Sequence, residues 1–365
     1  MKIGILGTRG IPNNYGGFEQ FAEFFSVFLK TKNHEVFVYN SSNHIYKKPT
    51  YKGVNIIKCY DPEHKIGAAG QLIYDFNCII DSRNRNFDLL LQLGYTSSSV
   101  WYKFLPKKPV IISNMDGLEW KRSKYSNNKK KFLKLAERLA VKSSDYLIAD
   151  SLAIQSYLKK KYKAKSKFIA YGADLFKQQD ETILTNYNVN TGQYNMLIAR
   201  LEPENNIETI LDGVLMSNNQ NPFLVIGNYH NKFGTYLKNK FKSCKKIRFV
   251  GGVYDLNILN NLRYFSNLYF HGHSVGGTNP SLLEAMASKA LIIAHDNQFS
   301  RAVLEQDAFY FKNPKEVSNY LNTTKKAKHL EKIEACYLKV KNHYQWDKIN
   351  QEYLDFFNEC LPPKS

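Results

Sequence analysis

Short apolar runs recur along this chain, separated by polar or helix-periodic segments. The first covers residues 3–6, and further strand candidates stand at 35–39, 54–58, 87–93, 110–113, 146–149 and 168–171. Between the first two, Phe18, Phe21, Ala22, Phe25, Phe28 and Leu29 follow the spacing of one buried helix face. Helical patterns also cover 70–80 and 129–142. A polar stretch at 177–194 precedes a second set of strands at 196–199, 223–226, 247–250, 268–270, 291–294 and 309–311. Helices over 206–216 and 280–288 fit between them, and 331–360 reads as helical, carrying Trp346, Tyr353, Phe356 and Phe357. Short apolar strands alternating with helices predict parallel sheets covered on both faces. The expected fold class is α/β, with two doubly wound, Rossmann-like domains facing a cleft and ligands beyond the carboxyl ends of the strands.

Composition bounds this picture. A length of 365 residues fits two domains, and 43% apolar content with 23 Phe and 25 Tyr supplies large cores. No apolar run approaches the ~20 residues that a membrane-spanning helix needs. The opening MKIGILGTRG is broken by Gly4 and Gly7, so it reads as strand and turn rather than signal peptide. Five cysteines are scattered without a C-x-x-C pair, which fits a reducing cytoplasm and offers no metal site. The net charge of +19 gathers at 121–134, 159–167 and 238–248. Such a field favours an anionic partner, either a phosphorylated substrate or an anionic membrane surface. Nucleic acid is not expected, because no reader motif is present. The competing account is that these lysines only solvate the surface.

The most informative stretch is 271–287, HGHSVGGTNPSLLEAMA. An apolar strand ends there, Gly276 and Gly277 turn the chain, and Asn279-Pro280 is a good N-cap followed by a good first helical residue. Backbone N–H groups and the positive end of a helix dipole then meet at one point, which suits a phosphate. Glu284, one turn further on, is placed to accept hydrogen bonds from sugar hydroxyls such as those of a ribose. An ordinary strand-to-helix turn with a surface glutamate is the other reading.

With GTRGIPNNYGGFE, DYLIADSLAIQSYL, KFIAYGAD, ARLEPENNIETI and GGTNPSLLEAMA in this order, the chain resembles glycosyltransferase family 4, retaining nucleotide-sugar transferases of the GT-B fold. NMDGLEWKR and HGHSVGGTNPSLLEA make it most similar to bacterial rhamnosyltransferases that build surface polysaccharides on a lipid carrier. The resemblance implies an acceptor-binding domain over 1–172, a nucleotide-sugar-binding domain over 173–340, and a final helix in 341–365 packing back on the first domain. It implies a nucleotide-diphosphate sugar donor (dTDP-L-rhamnose), a lipid-linked glycan acceptor, and work at the inner face of the cytoplasmic membrane as a peripheral protein. Another donor such as UDP-glucose, or a GT-B epimerase or hydrolase acting on the nucleotide sugar itself, is the alternative.

Site residues follow position by position. Gly16 and Gly17 match the glycine pair where backbone approaches the donor diphosphate; the spacing Gly4-x-x-Gly7-x-x-Gly10 is not the dinucleotide fingerprint. Arg200 matches the arginine that compensates diphosphate charge, and the family's lysine five residues on is Asn205 here. Glu284 matches the ribose-binding glutamate, whereas the family's preceding glutamate falls on Gly276. Gly276, Gly277, Thr278 and Asn279 complete the expected donor site. In NMDGLEWKR, Asp116 stands near the family's histidine and would orient the acceptor hydroxyl or steady positive charge on the sugar. Glu119, Lys121 and Arg122 would bind an acceptor pyrophosphate. A plain Asp-Gly turn is the other reading of Asp116. No Asp-x-Asp occurs, so no cofactor and no obligatory metal are expected, with cationic and helix-dipole groups stabilising the leaving diphosphate. His271 and His273 read as packing residues before metal ligands.

Overall fold

The computed structural model describes residues 1–14, 16–115, 117–122 and 125–361. The chain divides into two compact units, Met1–Trp120, Tyr125–Tyr171 and Trp346–Ser365 forming one, Lys121–Lys124 and Gly172–Gln345 the other.

The first unit is built on eight strands: β1 Lys2–Leu6, β2 Glu35–Ser41, β3 Thr50–Tyr51, β4 Val54–Cys59, β5 Leu89–Leu93, β6 Val110–Asn114, β7 Tyr146–Ala149 and β8 Lys167–Phe168. Their order is β3-β4-β2-β1-β5-β6-β7-β8, parallel throughout except for β3 against β4. Ile3 pairs with Val36 on one side and Leu89 on the other, so β1 is central and its side chains are buried on both faces. The helix Gly17–Thr31 lays Phe21, Ala22, Phe25 and Leu29 inward, as the periodicity predicts. Its partner is the last helix, Trp346–Cys360: Phe21 lies 4.7 Å from Tyr353 and Phe25 5.5 Å from Phe357, ring centre to ring centre. Each such buried aromatic contributes about 2–3 kcal/mol by removal from water.

The second unit has six parallel strands: β9 Asn195–Ile198, β10 Phe223–Ile226, β11 Ile247–Gly251, β12 Leu268–His271, β13 Ile292–His295 and β14 Phe309–Phe311. They run β11-β10-β9-β12-β13-β14. The helix Ile207–Met216 presses Ile207, Ile210, Leu211 and Val214 onto Phe223, Val225, Phe270 and Ile293.

Two expectations need correction. The strand expected at 168–171 is only Lys167–Phe168, and the chain leaves the sheet from Ile169 onward. The helical stretch 331–360 is broken at Gln345, which adopts extended backbone angles: Leu330–Lys339 continues through a π-helical turn, Val340–Tyr344, before the break, and Trp346–Cys360 follows it. Among the described residues no helix is long and apolar enough to cross a membrane.

Candidate functional site

In the second sheet, β9 and β12 are neighbours, with β10 and β11 on one side and β13 and β14 on the other. The order reverses between β9 and β12, so their carboxyl ends form the switch point where open α/β sheets bind ligands. β9 leads into Arg200, and β12 leads into the glycine turn. The two loops are laced together. Ser274 donates from its N and Oγ to the Glu204 carbonyl at 3.2 and 2.7 Å, and Asn206 Nδ2 donates to the Gly272 carbonyl at 2.8 Å. Gly272 is required, since a Cβ there would stand 2.0 Å from the Asn205 carbonyl oxygen.

The turn then enters the helix Pro280–Ala287. Gly276 has φ +141°, a conformation side chains resist. Thr278 is buried. Asn279 caps the helix, its Oδ1 accepting from Ser281 N at 3.0 Å. Gly276, Gly277 and Asn279 line a small pocket together with His271, His273 and Phe299. The first N–H groups of the helix are engaged, Ser281 N by Asn279 Oδ1 and Leu282 and Leu283 N by the Asn279 carbonyl, so an anion here would meet the amides of the turn and the positive end of the helix dipole.

Glu284 is part of a buried polar cluster that sequence reasoning missed. Arg263, on the helix Leu256–Phe265, is wholly buried, and its Nη2 donates to Glu284 Oε2 at 2.8 Å and to Ser281 Oγ at 3.0 Å. Its Nη1 donates to Asn260 Oδ1 at 2.8 Å. Arg263 thus fixes one oxygen of the carboxylate expected to meet the ribose. The signal was there to find: a charged residue following the buried Leu259 and Leu262 of LNILNNLRYF.

Arg200 is exposed, and its guanidinium enters no ion pair among the described residues. Asn205, by contrast, is buried, and its Nδ2 donates to the Arg200 carbonyl at 2.7 Å. It holds the Arg200 loop rather than standing in for a lysine. Glu204, in the same loop, accepts from Arg122 Nη1 at 3.3 Å.

His271 and His273 stack at 4.5 Å with their planes 19° apart. Neither Nδ1 has a hydrogen-bond partner among the described residues. Burial first, then the charges of Arg200 and Arg122, pushes His273 down to about 3, and burial holds His271 well below the usual histidine range. Both rings are neutral at physiological pH.

In the first unit, β1 lies between β2 and β5, so the loop after Leu6 leaves from the equivalent switch point. Gly7, at φ +85°, passes so close to β5 that a Cβ would lie 2.2 Å from the Leu93 carbonyl oxygen. Buried Glu19 ties the loop to the next helix, accepting from Arg9 N at 2.8 Å and Thr8 Oγ1 at 3.3 Å. Gly16 is the N-cap of that helix and Gly17 its first residue, with no side-chain cap.

The loop after β6 carries the expected acceptor residues. Asp116 lies outside the described residues. Glu119 is half-buried and Lys121 exposed. Tyr95 Oη donates to the Gly117 carbonyl at 3.1 Å, and Trp120 Nε1 donates to the buried Glu137 at 2.9 Å.

With this geometry in place, comparison with known proteins is informative. A family model described as a domain of unknown function (DUF1972) matches residues 1–174. A search of curated proteins finds no match. Solved structures align over nearly the whole chain. A sucrose-phosphate synthase from Thermosynechococcus elongatus is 13% identical with TM-score 0.80, over 98% of both chains. HepE from Anabaena, in complex with UDP and glucose, is 15% identical with TM-score 0.77, over 98% of this chain and 99% of its own. A glycosyltransferase from Rickettsia africae is 16% identical with TM-score 0.73, over the full length of both. Two parallel-sheet α/β domains aligned end to end with these enzymes give this chain the GT-B fold.

Proposed function

We propose that this protein is a nucleotide-sugar glycosyltransferase that moves a sugar, L-rhamnose from dTDP-L-rhamnose, to a hydroxyl of a lipid-linked surface-polysaccharide glycan. The observation that carries the reading is the switch point of the second sheet. A glycine turn, a capped helix N-terminus, an arginine outside every described ion pair and a carboxylate oriented by a buried arginine meet there.

In the reaction, the bond between the sugar's anomeric carbon and the diphosphate oxygen breaks, and the acceptor oxygen bonds to that carbon. The acceptor hydroxyl loses its proton, and the nucleotide diphosphate departs with the electron pair. Negative charge grows on the departing diphosphate, so Arg200 and the amides at Gly276–Asn279 act where stabilisation is worth most. Glu284 holds the ribose, and Gly16 and Gly17 let backbone approach the diphosphate. Asp116 orients the acceptor hydroxyl, with Glu119, Lys121 and Arg122 on the acceptor's pyrophosphate. Retention of anomeric configuration belongs to the same reading. The basic, partly apolar helix Asn127–Ser143 would rest on an anionic membrane surface at the cytoplasmic face, where the acceptor resides.

One finding favours a second donor: Anabaena HepE has been solved with UDP-glucose. Release of nucleotide diphosphate from a panel of nucleotide sugars, with and without a lipid-pyrophosphate-linked sugar, tests both. Turnover of dTDP-L-rhamnose that requires acceptor supports the proposal. Faster turnover of UDP-glucose selects the second donor, and acceptor-independent turnover marks an epimerase or hydrolase.

A further inference from the structure

Glu137 is an unusual residue in the first unit. It sits on the helix Asn127–Ser143 and is 1% exposed, yet it is a carboxylate. A buried charge of this kind persists only when donors surround it. Five do. Tyr157 Oη, Lys161 Nζ and Tyr162 Oη donate to Oε1 at 2.7, 2.9 and 2.6 Å. Trp120 Nε1 donates to Oε2 at 2.9 Å, and the single hydroxyl proton of Tyr95 is shared between Oε2 at 3.4 Å and the Gly117 carbonyl at 3.1 Å.

The two oxygens serve different parts of the fold. Oε1 is held by the helix Leu152–Tyr162, a rigid neighbour. Oε2 faces the loop after β6: Trp120 belongs to that loop, and Tyr95 also grips it through the Gly117 carbonyl at 3.1 Å. Lys134 Nζ lies 4.5 Å from the Trp120 ring centre, adding a cation–π contact from the same helix as Glu137. Gly117 has φ +62°, so the loop turns sharply between its two anchors. Met115 and Leu118 of the loop are buried apolar residues, so packing holds them, while Gly117 and Trp120 are held by the hydrogen bonds of Tyr95 and Glu137.

We infer that Glu137 is a positioning residue. Through Trp120 and Tyr95 it holds residues 117–120 in one conformation, and so decides how the acceptor is oriented without touching it. The assignment of an acceptor to this loop rests on the proposed transferase reading; the anchoring does not.

The anchoring is removed most cleanly by Trp120→Phe, which keeps the ring and deletes the indole N–H. Tyr157→Phe is the control, because it deletes a donor to Oε1 but keeps the ring that packs 6.2 Å from Trp120. Amide hydrogen exchange reads the loop directly. Trp120→Phe should speed exchange across 117–120 by about tenfold, the effect of losing one hydrogen bond to a charged acceptor, and leave the rest of the chain unchanged. Tyr157→Phe should leave the loop's exchange as it was. In the transfer assay, Trp120→Phe should raise the acceptor KM by a similar factor with the donor KM unchanged. Unchanged loop exchange in Trp120→Phe, or equal loosening in Tyr157→Phe, overturns the anchoring. Loosening without any change in acceptor KM overturns the acceptor role alone. A wild-type protein with no transfer activity refutes the transferase reading while the exchange result still stands.

Discussion

Arg263, wholly buried, reaches Glu284 across 2.8 Å, so the half-buried carboxylate expected to meet the donor ribose is already paired with a buried guanidinium. The two roles pull an experiment in different directions. Removing Glu284 to alanine strips the buried guanidinium of its counter-charge, which costs about 3–5 kcal/mol. Glu284→Ala should therefore lower stability in urea by that order, and loss of donor binding in it would prove little. Glu284→Gln keeps an acceptor for Arg263 and removes the charge. It should remain folded and bind donor about tenfold more weakly. Donor titration with unchanged affinity in a folded Glu284→Gln would remove Glu284 from the ribose site.

Arg200→Ala should lower kcat by about a hundredfold while raising the donor KM far less, because its interaction strengthens as the diphosphate leaves. Steady-state kinetics that show only a KM change would mean it binds ground state and transition state alike. Restoring the family's lysine by Asn205→Lys should not help. Asn205 is 5% exposed and donates to the Arg200 carbonyl, so a lysine loses that bond and buries an ammonium. The expected readout is a lower Tm with no gain in turnover.

Acid should destabilise the second unit through its stacked histidines. His271 and His273 have folded values below the ordinary 6.5, His273 at about 3, so the unfolded chain binds more protons between these limits. Stability is then full above pH 6.5 and falls as pH drops, by up to about 1.4 kcal/mol per pH unit for each ring. Asp75 opposes this in the first unit: burial pushes it up to about 6, so between about 3.8 and 6 the folded state binds the extra proton and gains from acid. Urea titrations of His273→Asn should show a shallower fall between pH 6 and 4. An unchanged slope would mean the ring is protonated in the folded protein.

On the helix Asn127–Ser143, Lys129 and Lys131 are exposed, and Phe132 and Leu135 are 39% and 43% exposed. Sedimentation with anionic vesicles should succeed at low salt and fail as salt rises, each lysine contributing about 1 kcal/mol near the surface. Replacing Lys129, Lys130 and Lys131 by Glu should abolish it and leave donor binding intact. Equal recovery with neutral and anionic lipid would mean a solvated helix face.

Much of the fold was legible because its signals are local. The central strands of both sheets, such as β1, β5, β10 and β12, are buried on both faces and read as plain apolar runs. The phosphate-type turn was legible from Gly276-Gly277 and the Asn279-Pro280 cap alone. What escaped were the helices Lys232–Lys240, Leu256–Phe265 and Pro314–Thr323, whose Lys and Asn content blurs the apolar period, and Gln298–Leu304, which at seven residues is too short to show one. Their caps were the better signal: Asn231, Asp255, Asn297 and Asn313 each accept a backbone N–H of the first turn. The Arg263–Glu284 and Trp120–Glu137 pairs escaped for another reason. Each joins residues about a helix or more apart in sequence, and only the packed structure brings them together.

The central claim is transfer of a sugar from a nucleotide donor bound at the glycine turn. The most direct test is intact-mass spectrometry of a lipid-pyrophosphate-linked sugar after incubation with wild-type protein or Glu284→Gln and dTDP-L-rhamnose or UDP-glucose. The account predicts that wild type adds one deoxyhexose to the acceptor with dTDP-L-rhamnose, and that Glu284→Gln does so far more slowly at subsaturating donor. An acceptor whose mass is unchanged with either donor, while donor is hydrolysed or left intact, would contradict it.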